Sequence, residues 1–76
     1  MKKTKKLRKL IKHAKMGNRN AMYQLGILYQ LGKKVPFDME TAAEWISLSA
    51  VLGYRPAVEW MEDYAFDDDA SVQANS

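Results

Sequence analysis

The side chains that could bind a metal are few and lie far apart in the sequence. His13 is the only histidine, it lies among lysines, and the chain has no cysteine. A zinc site needs several His, Cys or carboxylate ligands at short spacing. The run Asp67-Asp68-Asp69 lacks the alternating acids, the glycine and the closing glutamate of a calcium-binding loop. We therefore predict no metal site and no cofactor, and we interpret both features as solvated surface.

The remaining candidates for catalysis are carboxylates and serines. Glu40 and Glu44 are four residues apart, as paired acid–base carboxylates could be, but the chain is too short to build a pocket around them. Ser47 and Ser49 have no base near them in the sequence that could activate a hydroxyl. The chain also lacks a glycine-rich phosphate-binding loop. We expect no catalytic residue and no enzymatic activity.

The length of the chain limits what it can form. Its 76 residues make one domain, and a domain of this size buries only about 60% of its unfolded surface. The longest apolar run in the basic N-terminal region is Leu10-Ile11, whereas a signal peptide needs about 7–15 apolar residues and a membrane helix about 20. The absence of cysteine fits a reducing compartment. We expect a cytoplasmic protein without membrane insertion.

The charges divide the chain into two halves of opposite sign. Eleven of the twelve lysines and arginines precede Asp38, and all nine acids lie from Asp38 onward, with Arg55 as the single base among them. The net charge of +3 hides this division. Such a separation predicts long-range attraction between the two halves, within one molecule or between neighbouring copies.

Apolar periodicity and helix-ending residues predict four helices. Leu7, Leu10, Ile11 and Ala14 follow the i, i+3, i+4, i+7 spacing of an amphipathic helix. Glycines at 17, 32 and 53 provide left-handed helix ends. Residues 18 and 38, an asparagine and an aspartate, are N-cap candidates for the second and third helices. A fourth helix begins at about position 56 and ends near position 66.

An internal repeat relates these helices. Gly17 recurs as Gly53 and Ala21 recurs as Ala57, both at a spacing of 36 residues. The first and third helices are therefore equivalent, as are the second and fourth. We divide residues 1–66 into a half repeat (4–17), a full repeat (18–53) and a second half repeat (54–66). The tail 67–76 lacks apolar periodicity, and we expect it to be disordered.

Within the full repeat, a set of residues resembles the Sel-one-like repeat family, a tetratricopeptide-like α/α-hairpin family. The matching positions are Ala21, Leu25, Gly26, Tyr29, Gly32, Asp38, Ala42, Trp45, Ala50 and Gly53. The resemblance implies an all-α fold of about two hairpins and four helices. Gly26 costs a helix roughly 1 kcal/mol relative to alanine, so we expect it to permit close helix packing. Lys34 stands where the family prefers glycine, and we expect it to adopt a left-handed conformation.

The resemblance also implies a function. In this family the first helix of each hairpin lines the concave side of the array, which indicates a non-enzymatic adaptor or scaffold of bacterial type that binds a protein partner. The partner-binding residues would be Tyr23, Gln24, Ile27, Leu31, Trp60 and Phe66. Exposed aromatic side chains in a groove are typical anchors for a partner. In so short an array these residues could instead wrap into the core, and the sequence leaves both interpretations open.

The basic N-terminal helix supports an alternative function. It could bind nucleic-acid phosphates or an anionic surface through Lys5, Lys6, Arg8, Lys9 and Lys12. The segment has no aromatic residue to stack on bases, so we favour protein binding. The opposite charges of the first and last helices also predict a homodimer, and we expect a closed antiparallel pairing of helix one with helix four of the mate.

Overall fold

The computed structural model describes residues 5–64, and these form four helices without a β-strand. They are α1 (Lys5–Lys15), α2 (Arg19–Leu31), α3 (Met39–Val51) and α4 (55–64). The all-α prediction is confirmed for this part of the chain. Phe66 and the tail 67–76 lie outside the described residues.

Side-chain caps begin α2 and α3 as the sequence predicts. The Asn18 side chain accepts a 2.9 Å hydrogen bond from the Ala21 amide. At the start of α3, Asp38 accepts from both the amide and the hydroxyl of Thr41, at 3.1 and 2.8 Å. Both bonds stabilise the charged carboxylate and so lower the pKa of Asp38, and the bond from the amide has the larger effect. Both caps satisfy amides that a helix start leaves without an intrahelical partner.

The turn after α1 and the turn after α3 have the same geometry. Gly17 and Gly53 have φ angles of 97° and 88°. In the first turn the Asn18 amide donates to the His13 carbonyl at 3.0 Å. In the second turn the Tyr54 amide donates to the Ser49 carbonyl at 3.1 Å, and both of these residues lie 36 positions after their counterparts in the first turn. This is the Schellman pattern of a helix C-terminus, which uses a glycine in the left-handed region. The backbone conformation and hydrogen bonds of this turn thus recur at the 36-residue spacing seen in the sequence.

The core has a cluster of buried residues between α1, α2 and the loop that follows α2, and Ala42, Ile46 and Ala57 are buried on α3 and α4. Its buried cluster consists of Leu7, Ala14, Ala21, Met22, Leu25 and Val35, with Leu10, Ile11, Leu28, Tyr29 and Trp45 packed against it as half-buried neighbours. The Trp45 indole contacts the cluster without being fully buried.

Helices α2 and α3 pack closely at Gly26. A methyl group at Gly26 would lie 2.5 Å from Cγ1 of Ile46 and 2.9 Å from the carbonyl oxygen of Ala42. Both Ala42 and Ile46 are fully buried. A Cβ atom cannot approach other heavy atoms this closely, so the expectation that Gly26 permits close helix packing is confirmed.

Two hydrogen bonds fix the other end of the same helix pair. The Ser49 hydroxyl, which is fully buried, donates to the Arg19 carbonyl at 2.7 Å. The Arg19 guanidinium donates to the Leu52 carbonyl, also at 2.7 Å. A cation at this position satisfies a free carbonyl and complements the negative end of the α3 dipole. The start of α2 and the end of α3 are therefore joined by two hydrogen bonds, one donated from each side.

We expect Gly26→Ala to destabilise the protein although alanine is the better helix former. Overpacking against Ile46 and Ala42 outweighs the gain in helix propensity, which gives a net loss of about 1–2 kcal/mol. Equilibrium unfolding in urea measures this loss. Gln24→Ala, on the exposed face of the same helix, is the control and should change stability by no more than about 0.5 kcal/mol. A Gly26→Ala variant as stable as the parent would contradict the close α2–α3 contact.

Candidate functional site

Helix α4 lies beside α2 and runs parallel to it. Near the start of both helices, the rings of Tyr23 and Tyr54 lie 5.5 Å apart at an angle of 56°. Near their ends, the indole nitrogen of Trp60 donates to the side-chain oxygen of Gln30 at 3.1 Å. Because early residues of α2 meet early residues of the fourth segment, and late residues meet late ones, the two helices share one direction.

The face of α2 that points away from the core forms a continuous stripe between α1 and α4. Gln24 and Leu31 are exposed, Leu31 by 58%, whereas Tyr23 and Ile27 are half buried. Leu31 is an apolar side chain with most of its surface in water. Four of the six predicted partner-binding residues thus share one helix face.

A groove of about 430 Å³ runs along one edge of this stripe, between α1 and α2. We call it the α1–α2 groove, and it is lined by Lys6, Leu7, Leu10, Tyr23, Gln24, Ile27, Leu28 and Lys34. The structure therefore brings three of the predicted residues, those at positions 23, 24 and 27, together with side chains of α1. Sequence reasoning missed the contribution of α1, because Leu7 and Leu10 belong to a stripe that it assigned entirely to the core.

The predicted anchor residue on α4 has different neighbours. Trp60 stacks on Tyr64, with ring centroids 5.1 Å apart and an interplanar angle of 17°. It also donates the hydrogen bond to Gln30 and is half buried. Trp60 therefore lies at the α2–α4 edge of the stripe and not in the α1–α2 groove. Phe66, the last predicted residue, lies outside the described residues.

The residues of the alternative basic surface lie together on the outer side of α1. All five are exposed: Lys5, Lys6, Arg8, Lys9 and Lys12. Lys6 is also at the rim of the α1–α2 groove, where Lys34 joins it from the loop after α2. The rim of this groove is therefore positively charged, while its base is apolar.

Lys34 has the backbone conformation that its position predicts. Its φ angle is 64°, and it is the only non-glycine residue with a positive φ among those described. The loop that contains it buries Val35 in the core cluster, so the strained turn also anchors the end of α2. The prediction of a left-handed Lys34 is confirmed.

Comparison of the chain with protein-family models, with curated proteins and with solved structures finds no match. Within residues 5–64, no group of three or more His, Asp or Glu side chains is placed to hold a metal ion. None of the helices in the same range is both long enough and apolar enough to cross a membrane. The candidate site is therefore described by its geometry alone.

We expect Lys34→Gly to stabilise the protein by up to about 1 kcal/mol. Glycine removes a left-handed strain of about 1–2 kcal/mol and adds a smaller entropy cost in the unfolded chain. Lys33→Gly is a matched control, because it removes the same charge from a neighbour with negative φ. The control should lose about 0.5–1 kcal/mol. Thermal or urea unfolding compares the two, and equal effects would contradict the strained loop.

Proposed function

We propose that the chain is a Sel-one-like repeat module of two α/α hairpins that binds a protein partner and carries no catalytic activity. Several features support the family assignment. The turns at Gly17 and Gly53 have matching hydrogen bonds at the repeat spacing, and Gly26 lies at a close contact between α2 and α3. The parallel placement of α2 and α4 is what equivalent first helices of successive hairpins require.

The observation that supports the binding function best is the α1–α2 groove. It has an apolar base next to the exposed stripe of α2, and its rim carries Lys6 and Lys34. Grooves of this kind accept the apolar face of an amphipathic helix, whose side chains enter at i, i+3 or i+4 spacing. Lysines at the rim favour a partner with acidic residues beside its apolar positions. The partner we propose is therefore an acidic amphipathic segment.

The apolar and the polar side chains of the stripe and the groove contribute differently to partner binding. Ile27 and Tyr23 are half buried, so a partner would complete the burial of apolar atoms that are already partly desolvated. Residues that become fully desolvated on binding carry most of the binding energy in protein interfaces. Gln24 and the lysines at the rim provide hydrogen bonds and charge, which set orientation and association rate more than affinity. We place the module in the cytoplasm, in keeping with a chain that has no cysteine.

We expect Ile27→Ala to weaken partner binding by about thirtyfold, equivalent to about 2 kcal/mol, without unfolding the domain. Val51→Ala is the matched control, because Val51 is an apolar residue of α3 that is 79% exposed and lies outside the groove. The tagged full chain and both variants would be used to capture proteins from the native host, with quantitative mass spectrometry. The bound protein would then be titrated against each variant.

A protein that the parent and Val51→Ala retain and Ile27→Ala loses would support the proposal. If no captured protein distinguishes the two variants, the groove is not the binding site. Retention of duplex DNA that falls on Lys9→Glu, and not on Ile27→Ala, would favour the alternative function through the basic helix.

A further inference from the structure

A second groove lies on the side of α3 that faces away from α1. This α3–α4 groove has a volume of about 890 Å³ and is lined by Met39, Glu40, Ala43, Glu44, Ser47, Leu48, Met61 and Tyr64. Leu48 and Tyr64 are 50% and 41% exposed, so apolar surface remains open to water. Apolar surface at the edge of a repeat array marks the place where the next repeat would pack. The groove is therefore a helix position that no helix of residues 5–64 fills.

The internal repeat indicates what kind of helix fits this position. Shifted back by 36 residues, Ala43, Ser47 and Met61 correspond to Leu7, Ile11 and Leu25. Those three residues belong to the core cluster or pack against it, together with Trp45 of α3. This part of the α3–α4 groove thus corresponds to the surface on which α3 itself lies, whereas Glu44 and Leu48 correspond to Arg8 and Lys12, which are exposed beside that surface. A helix equivalent to α3 would fill it.

The helix equivalent to α3 within this chain is α1. In the same register Lys5, Lys9 and Lys12 correspond to Thr41, Trp45 and Leu48 of α3. Trp45 is the side chain through which α3 packs on the core cluster. An α1 helix from a second copy, placed in the groove by the same repeat step, would direct an exposed lysine stripe toward Glu40 and Glu44. Both glutamates are exposed, so the charges of the two surfaces are complementary.

The other side of this contact is also complementary. The tight contact of Gly26 with Ala42 and Ile46 corresponds, one repeat later, to Glu62 of one copy against Lys6 and Leu10 of the next. Glu62 and Lys6 are exposed, and Leu10 is half buried in the α1–α2 groove. An ion pair replaces the glycine of the internal contact, so the helices at this junction stay farther apart. Such a junction is weaker than the internal one and depends more on salt.

From this correspondence we propose that copies of the chain associate head to tail, with α1 of one copy in the α3–α4 groove of another. The two surfaces lie at opposite ends of the helix array, so each contact leaves one groove and one α1 free. Association then continues beyond two copies, unlike the closed dimer that the charge pattern alone favours. The proposal rests on the repeat geometry. Lys6 and Leu10 of this junction also line the α1–α2 groove, whereas Glu44 and Lys9 lie outside that groove. Substitutions at Glu44 and Lys9 therefore test self-association separately from the proposed partner binding.

A charge-reversal pair tests the contact. Glu44→Lys places a positive charge in the acidic α3–α4 groove and Lys9→Glu weakens the basic end, so each variant alone should self-associate about tenfold more weakly than the parent. An equimolar mixture of the two should recover association. The unchanged α1 of the Glu44→Lys variant meets the unchanged groove of the Lys9→Glu variant, and at alternate contacts the introduced lysine faces the introduced glutamate. Glu59→Lys is the matched control, since Glu59 is exposed and pairs only with Arg55 of its own helix among the described contacts. It should associate like the parent.

Sedimentation velocity over a concentration series, at low and high salt, provides the measurement, and far-UV circular dichroism checks that each variant is helical. If Glu44→Lys lost helicity, Glu40→Lys would replace it. The proposal predicts species larger than dimers in the parent, weakened by salt. A parent that is monomeric at all concentrations, an association that stops at the dimer, or a mixture no better than its components would each overturn it.

Discussion

The contact of α2 with α3 at Gly26 fixes the distance between the two central helices, and the other helices depend on that distance. Ile46 and the Ala42 carbonyl occupy the space that a side chain at position 26 would need. Ser49 and Arg19 then hold the far end of the pair through two hydrogen bonds of 2.7 Å. Helix α1 packs on α2, and α4 contacts α2 through the Tyr23–Tyr54 and Gln30–Trp60 pairs.

Much of this fold follows from local features of the sequence. Asn18 and Asp38 each begin a helix and Gly17 and Gly53 each end one, because capping and left-handed backbone depend on residue type more than on tertiary contacts. Gly26 is informative for a related reason: an unfavourable residue in a helix interior needs a packing explanation. The left-handed conformation of Lys34 was expected from the resemblance, in which this position prefers glycine.

The binding surface was harder to predict. The stripe Leu7–Leu10–Ile11 shows which residues leave water, but it does not show whether a third helix covers their edge. In the structure no helix of the described residues covers that edge, so Leu10 lines a groove. Trp60 was predicted as an anchor from its exposed helix face, yet its indole donates to Gln30 and stacks on Tyr64. Contacts between α2 and α4 are long-range, and periodicity within one helix cannot reveal them.

Both grooves lie at edges of the four described helices. Each is a place where a further helix would pack, and the charges at their rims have opposite signs: lysines beside the α1–α2 groove and glutamates beside the α3–α4 groove. The division of charge seen in the sequence is therefore a division between the two ends of the fold. An array that ends in open, oppositely charged grooves is suited to binding helices, from a partner or from another copy.

Amide hydrogen exchange resolved by residue tests the central role of the α2–α3 pair most directly. Exchange from the most protected amides reports near-global unfolding, whereas edges open locally at lower free energy. The account predicts the slowest exchange around Leu25 and Gly26 in α2 and around Ile46 in α3, with faster exchange in α1 and α4. If the amides near Gly26 and Ile46 exchanged as fast as those of α1, the pair would not be the element on which the fold depends.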